Sequence, residues 1–138
     1  MNVRELMSND VKSINSNSSV SDAAIEMRNL NVGVIPIVDS MQHVVGVITD
    51  RDIVLRCVAE NCDLNSKKAH EVMSSHVMMV SPEADVNVAS QMMADYQVRR
   101  LPVVENNQLV GILSLGDIAT NDRCNCNFSK TLESISEK

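Results

Sequence analysis

The sequence predicts a mixed α/β (α+β) fold: two β-α-β-β-α repeats, packed sheet to sheet with pseudo-twofold symmetry. Three observations carry that reading. The chain aligns with itself, Met7-Ser8 falling on Met73-Ser74, Val20 on Val86, Ala23 on Ala89, Met27 on Met93, Val32 on Val98 and Pro36 on Pro102. After the prolines the register slips by one residue, and Val45-Gly46 meets Val110-Gly111 while Asp52-Ile53 meets Asp117-Ile118. The slip belongs to the turn around Ser40, because loops tolerate insertions. Lastly, each copy passes from helical to alternating apolar spacing in the same order.

The elements follow in turn. Asp10 to Asn15 reads as a short strand before a Ser/Asn-rich turn. Ser18 or Ser19 can cap a helix whose inward stripe is Val20, Ala23, Ala24, Met27 and Leu30, ended by Asn31. Val34 to Asp39 and Val44 to Ile48 are β-branched runs joined by a short polar turn, which signals a hairpin. A second helix starts after Thr49 and is expected to bury Ile53, Val54, Cys57 and Val58. The second copy repeats this with Val77 to Val80, a helix burying Val86, Ala89, Met93 and Tyr96, a hairpin over Asn106-Asn107 and a helix from Ser114. The expected division is repeat one at 1–62, a linker at 63–68, repeat two at 69–123 and a polar tail at 124–138. One such unit buries too little surface to stand alone, so two should share a core and leave clefts between them.

Composition narrows the function. At 138 residues and 44% hydrophobic, the chain suits a globular protein. No apolar run approaches the ~20 residues of a membrane span, and the first residues lack a secretory pattern, so a cytoplasmic protein without membrane contact is expected. The net charge of −6 argues against general nucleic-acid binding, which needs a basic footprint. With one Tyr, one Phe and no Trp, the core must be aliphatic and methionine-rich. No Walker-type glycine loop and no paired nucleophile and base are present, so no enzymatic activity is expected.

The twin stretches Val32-x-x-x-Pro36-Ile-Val-Asp39 with Gly46-Val-Ile-Thr49-x-x-Asp52-Ile53, and Val98-x-x-x-Pro102-Val-Val-Glu105 with Gly111-Ile-Leu-Ser114-x-x-Asp117-Ile118, resemble a tandem of CBS domains, the Bateman module. The resemblance covers about residues 1–62 and 69–123. It implies a regulatory module whose inter-repeat clefts take adenosine-containing ligands such as AMP, ADP, ATP or S-adenosylmethionine and which modulates a partner protein. No cofactor is implied beyond such a ligand. It also implies a flat homodimer formed through helix faces, for which Leu55, Val58, Met92 and Tyr96 are the candidate residues. A ligand-free dimeric scaffold with vestigial clefts is the alternative.

The candidate site residues follow from the same motifs. Thr49 with Asp52, and Ser114 with Asp117, fit a capping box, in which the hydroxyl accepts an amide N–H and the acid reaches back to the cap. The resemblance adds that the Asp takes the two ribose hydroxyls. Capping and binding are compatible. Arg99-Arg100 replaces Gly33-Val34 of the first copy, so the repeat does not dictate it. A solvated strand end is one reading; a phosphate clamp is the other, since guanidinium forks match phosphate oxygens. By resemblance the arginines serve a nucleotide held by the other repeat, with Gly33 leaving room for a base. Arg51 adds charge that its twin Gly116 cannot. The cleft of Asp52 with Arg99 and Arg100 is therefore the favoured nucleotide site.

The cysteines read as less specific. Cys57 lies on an apolar stripe, as a core residue would, and neither Cys57/Cys62 nor the C-x-C of Cys124 and Cys126 has zinc spacing. A thiol sensor at Cys124 and Cys126 is the weakest of the functional readings. Replacing both by Ser should leave the melting temperature and any ligand response unchanged, because both lie beyond the repeats. A clear drop in melting temperature, or zinc released on substitution, would make the tail a site.

Overall fold

In the computed structural model, which describes residues 1–120 and Ile135, the elements keep the expected order but the repeats exchange their leading segments. Lys12–Val77 forms one compact unit; Met1–Val11 joins the residues from Met78 onward in the other. The spatial units thus cut across the repeat boundaries expected from the sequence. The 63–68 segment is part of the first unit, where Lys67 and Leu64 carbonyls accept the N–H groups of Val20 and Ser21. These bonds satisfy donors that a helix N-terminus otherwise leaves open.

In the Lys12–Val77 unit, β1 (Ile14–Asn15) runs parallel to β2 (Val34–Val38), which pairs antiparallel with β3 (Val44–Thr49). Helix α1 (Val20–Leu30) is capped by Ser19, whose hydroxyl accepts the Asp22 N–H. Helix α2 (Asp50–Ile53) widens into a π turn over Val54–Val58, and α3 (Ala69–Val72) closes the unit. Val20, Ala23 and Met27 of α1 meet Ile35, Ile37, Ile48, Ile53 and Cys57 in an aliphatic core.

The other unit repeats the plan with a 3₁₀ turn at Val3–Glu5, α4 (Val86–Tyr96), β4 (Arg100–Glu105), β5 (Gln108–Ser114) and α5 (Leu115–Ala119). Asn106 and Asn107 both adopt positive φ (53° and 63°), the conformation a tight hairpin turn demands. The expected strand Val77–Val80 is reduced to one parallel bridge, Val80 to Val103. Its core gathers Val86, Ala89, Met93, Leu101, Val103, Leu113 and Ile118 around Val3. Ile135 is also buried there, so the tail is not uniformly a solvated appendage; Cys124 and Cys126 lie outside the described residues. No helix among the described residues is long and apolar enough to cross a membrane.

Two expectations about burial need correction. Val54 and Val58 are 53% and 52% exposed, because each sits one position round the helix from Ile53 and Cys57, the pair at i,i+4 that faces the core. Leu30 and Tyr96 end their helices exposed. Asn31 and Gln97 turn left-handed there, and the next residues, Val32 and Val98, fold back to donate to the Met27 and Met93 carbonyls at 3.0 Å. These are Schellman caps, in which the second residue past the helix packs on its last full turn. Cys57 is core, as expected, but it is also disulfide-bonded to Cys62 with Cα atoms 4.9 Å apart.

The leading segments cross the sheets at glycines. Ser74 exchanges both backbone hydrogen bonds with Val47 (2.8 and 3.0 Å), and Ser8 does the same with Ile112 (2.9 and 3.0 Å). A Cβ on Gly46 would lie 2.8 Å from the Ser74 carbonyl oxygen and 2.6 Å from Met73 Sδ. One on Gly111 would lie 2.7 Å from the Ser8 carbonyl oxygen and 2.8 Å from Met7 Sδ. Backbone cannot yield as a side-chain tip can. Gly46→Ala and Gly111→Ala should each lower unfolding free energy by about 1–3 kcal/mol, as overpacking does. Gly116→Ala, which meets only Ser114 Oγ at 3.6 Å, should be nearly neutral; urea denaturation distinguishes the three.

Candidate functional site

Both expected capping boxes are present. Thr49 Oγ1 accepts the Asp52 N–H at 3.0 Å while Asp52 Oδ2 accepts the Thr49 N–H at 3.0 Å. Ser114 and Asp117 repeat this at 3.0 and 2.9 Å. In each copy the strand feeds a helix whose first turn donates an N–H to the cap hydroxyl while the acid accepts the N–H of the cap residue, so a carboxylate is held at a fixed place.

The two carboxylates are not equivalent. Asp52 is 8% exposed, and its oxygens also accept from Ser74 Oγ at 3.3 Å, with the Arg56 guanidinium 3.7 Å away. Arg56 in turn donates to the carbonyls of Val72 and Met73 at 3.0 Å each. The arginine thereby fastens the α3 segment, which carries Ser74, to the helix that carries Asp52. Asp117 is half-buried, and its Oδ1 has no partner among the described residues.

The remaining candidates divide between the units. Gly33, Val34, Thr49, Arg51 and Asp52 belong to Lys12–Val77; Arg99, Arg100, Ser114 and Asp117 belong to the other. The Gly33 carbonyl accepts the Asp50 N–H at 2.9 Å, and the Arg99 carbonyl accepts the Leu115 N–H at 2.8 Å. Val34 pairs with Thr49, and Arg100 with Ser114. The backbone of the arginine pair therefore lies beside the Ser114–Asp117 box. Arg99 and Arg51 are exposed and Arg100 is half-buried. The space over Gly33 is faced by Asp50, whose Oδ2 would lie 3.0 Å from a Cβ there. Among the described residues, no three His, Cys, Asp or Glu side chains converge as a metal site would require.

Sequence reasoning missed Arg56 and Ser74. The i,i+4 spacing of Asp52 and Arg56 was a usable signal for the first. Ser74 could be placed only with the crossing of the α3 segment over Gly46 in hand.

The architecture and these twin boxes define a tandem-repeat domain protein, and the chain belongs to the CBS domain family, whose model matches residues 3–58 and 69–122. Its relatives include the CBS domain-containing protein YhcV of Bacillus subtilis, 40% identical over 99% of this chain and 96% of that protein. Hypoxic response protein 1 of Mycobacterium tuberculosis is 33% identical over 84% of this chain and 81% of its own length. A crystal structure of that hypoxic response protein with two coordinated zinc ions matches at a TM-score of 0.80 and 32% identity, covering 86% of this chain and 97% of that one. The CBS domain pair of protein MJ0100, solved with 5′-methylthioadenosine and S-adenosylmethionine, matches at a TM-score of 0.75 and 29% identity over 86% of this chain and 93% of that one.

The unequal surroundings of the two carboxylates give a direct stability test. Asp52→Ala removes a cap, the Ser74 hydroxyl's acceptor and the carboxylate beside Arg56, and should cost about 1–3 kcal/mol. Asp117→Ala removes, among the described residues, a cap alone and should cost about 1 kcal/mol or less. Equal losses in parallel denaturation curves would mean that Ser74 and Arg56 contribute nothing to holding Asp52.

Proposed function

We propose that this chain is a regulatory binding module that senses adenosine-containing ligands, AMP, ADP, ATP or S-adenosylmethionine, and transmits their binding to a partner protein. The observation that carries this reading is the duplicated carboxylate held at a helix start, with one oxygen of Asp117 unpartnered among the described residues. An ionised carboxylate so placed accepts from a vicinal diol, the feature that adenosine ligands share. The complex of the MJ0100 CBS pair with 5′-methylthioadenosine and S-adenosylmethionine supports the ligand class. Arg99 and Arg100 supply phosphate recognition, Arg51 adds positive charge, and Thr49 and Ser114 hold their acids in place. The role is regulatory, not catalytic.

A second reading, a ligand-free dimeric scaffold, is favoured by one observation: Asp52 is already engaged by Ser74 and Arg56. Both readings share a homodimer. Leu55, Val58 and Tyr96, with Val54 and Val88, are large apolar side chains left exposed on helices, and Met92 is half-buried. Association would remove them from water. A protein that sediments as a monomer at high micromolar concentration would defeat the dimer in both readings.

Ligand binding separates them. A ligand at 100 times its dissociation constant stabilises the fold by about 2.7 kcal/mol, so thermal melts with adenine nucleotides and S-adenosylmethionine should show a clear upward shift. Asp52→Ala and Asp117→Ala should each weaken the site they line on the order of ten- to a hundredfold. Arg99→Ala and Arg100→Ala should weaken ATP while leaving adenosine little changed, and the loss should shrink as salt rises. No adenine compound binding at millimolar concentration would put the scaffold first.

A further inference from the structure

We propose that Cys57 and Cys62 form a reversible thiol–disulfide exchange site, entered at the Cys62 sulfur and served by dithiol reductants. Its basis is a comparison of helix ends. Three helices stop in the same way. The Val32 N–H reaches the Met27 carbonyl, Val98 reaches Met93, and Cys62 reaches Cys57, all at 3.0 Å. Each is preceded by a left-handed residue: Asn31, Gln97 and Asn61, with φ of 55°, 55° and 58°. Asn61 also donates to the Val58 carbonyl at 3.2 Å, completing the Schellman pair of bonds. This geometry brings the side chains of the first and sixth residues together. Twice they are Met and Val, an apolar contact; once they are two cysteines.

The comparison says what the bond is for. The Met–Val caps hold without a covalent link, so the cap at Cys62 does not need one. A bond between residues so near in sequence also adds no long-range constraint and closes only a short loop. Reduction would leave the hydrogen-bonded cap in place and two thiols in apolar contact. A cross-link that the local fold does not need, yet which that fold holds at bonding distance in either state, has the character of a site and not of a brace.

Access sets the direction of the chemistry. Cys57 is fully buried among Ile53, Met27 and Val72 in the aliphatic core, whereas Cys62 is partly exposed. A dithiol's thiolate attacks Cys62 Sγ, the Cys57–Cys62 bond breaks, and the Cys57 thiolate departs and takes up a proton. The dithiol's second thiolate then attacks its own sulfur in the mixed disulfide and expels the Cys62 thiolate, which is protonated. Two electrons and two protons pass to the protein, and the dithiol ends as a cyclic disulfide. The helix so released carries Asp52 and Arg56, but the proposal stands whether or not those residues bind a ligand.

The test uses the full chain with Cys124→Ser and Cys126→Ser, so that only this pair can react. Protein equilibrated in oxidised and reduced dithiothreitol mixtures is quenched with iodoacetamide and weighed. The expected oxidised form takes no label, reduction opens two labelling positions, and reoxidation closes them, with unchanged far-UV circular dichroism throughout. Single variants test the direction: Cys62 in Cys57→Ser should alkylate on the order of tenfold or more faster than Cys57 in Cys62→Ser. Should either single variant fold poorly, the pair Cys57→Met with Cys62→Val copies the other two caps and should fold as they do. Two free thiols in oxidising buffer, reduction only at the rate of global unfolding, or equal alkylation rates would each overturn the proposal.

Discussion

Two backbone crossings hold the molecule's plan together. Met73-Ser74 passes over Gly46 and Met7-Ser8 passes over Gly111, each near enough that a single Cβ would collide with a carbonyl oxygen. The crossings tie each leading segment to the opposite repeat's sheet. The same segments then supply acceptors to the helix starts: Lys67 and Met1 carbonyls receive the N–H groups of Val20 and Val86, each at the head of its helix. Around the second crossing, Arg4 adds exposed ion pairs to Glu83 at 2.8 Å and Glu105 at 2.6 Å. Neither repeat therefore completes its own core. The hydrophobic surface that one β-α-β-β-α unit leaves uncovered is met by a piece of its twin.

What the sequence made legible was local. The Ser/Thr-x-x-Asp boxes, the Ser19 cap, the Asn-Asn hairpin turn and the two β-branched strand pairs are each decided by a few neighbouring residues, so their spacing alone identifies them. The alignment of Gly46 with Gly111 was visible too, but not the reason for it, because the atoms that forbid a side chain come from residues far along the chain. The same distance in sequence hid Ser74 and Arg56 from the reading of Asp52. The exposed faces at Val54 and Val58 differ from the sequence expectation for another reason: four apolar residues form a wide stripe, and only its Ile53 and Cys57 edge meets the core. The cysteine bond was obscured because its cause is a left-handed asparagine, a conformation that Asn61 adopts but does not announce.

Duplication also supplies an internal control. Two copies of one motif in one chain differ in what surrounds them, so the surroundings, and not the motif, distinguish Asp52 from Asp117. The first acid is held by a hydroxyl and a guanidinium that its own unit contributes; the second keeps an oxygen in reserve among the described residues. Gene duplication commonly leaves one copy to keep the fold while the other drifts. Here both copies keep the box and the Met-Ser crossing, and the divergence shows in the pair of residues opening the second strand, Gly33-Val34 against Arg99-Arg100.

The exchange of leading segments has a temporal side as well. A ribosome delivers a chain in sequence order, and domains generally fold as they emerge. Lys12–Val77 is contiguous, so all of its residues are present once Val77 is made. Met1–Val11 differs: the strand it crosses, ending at Ser114, is made only after the whole of Lys12–Val77. The earlier segment thus waits for its place while the residues between it and its strand are synthesised.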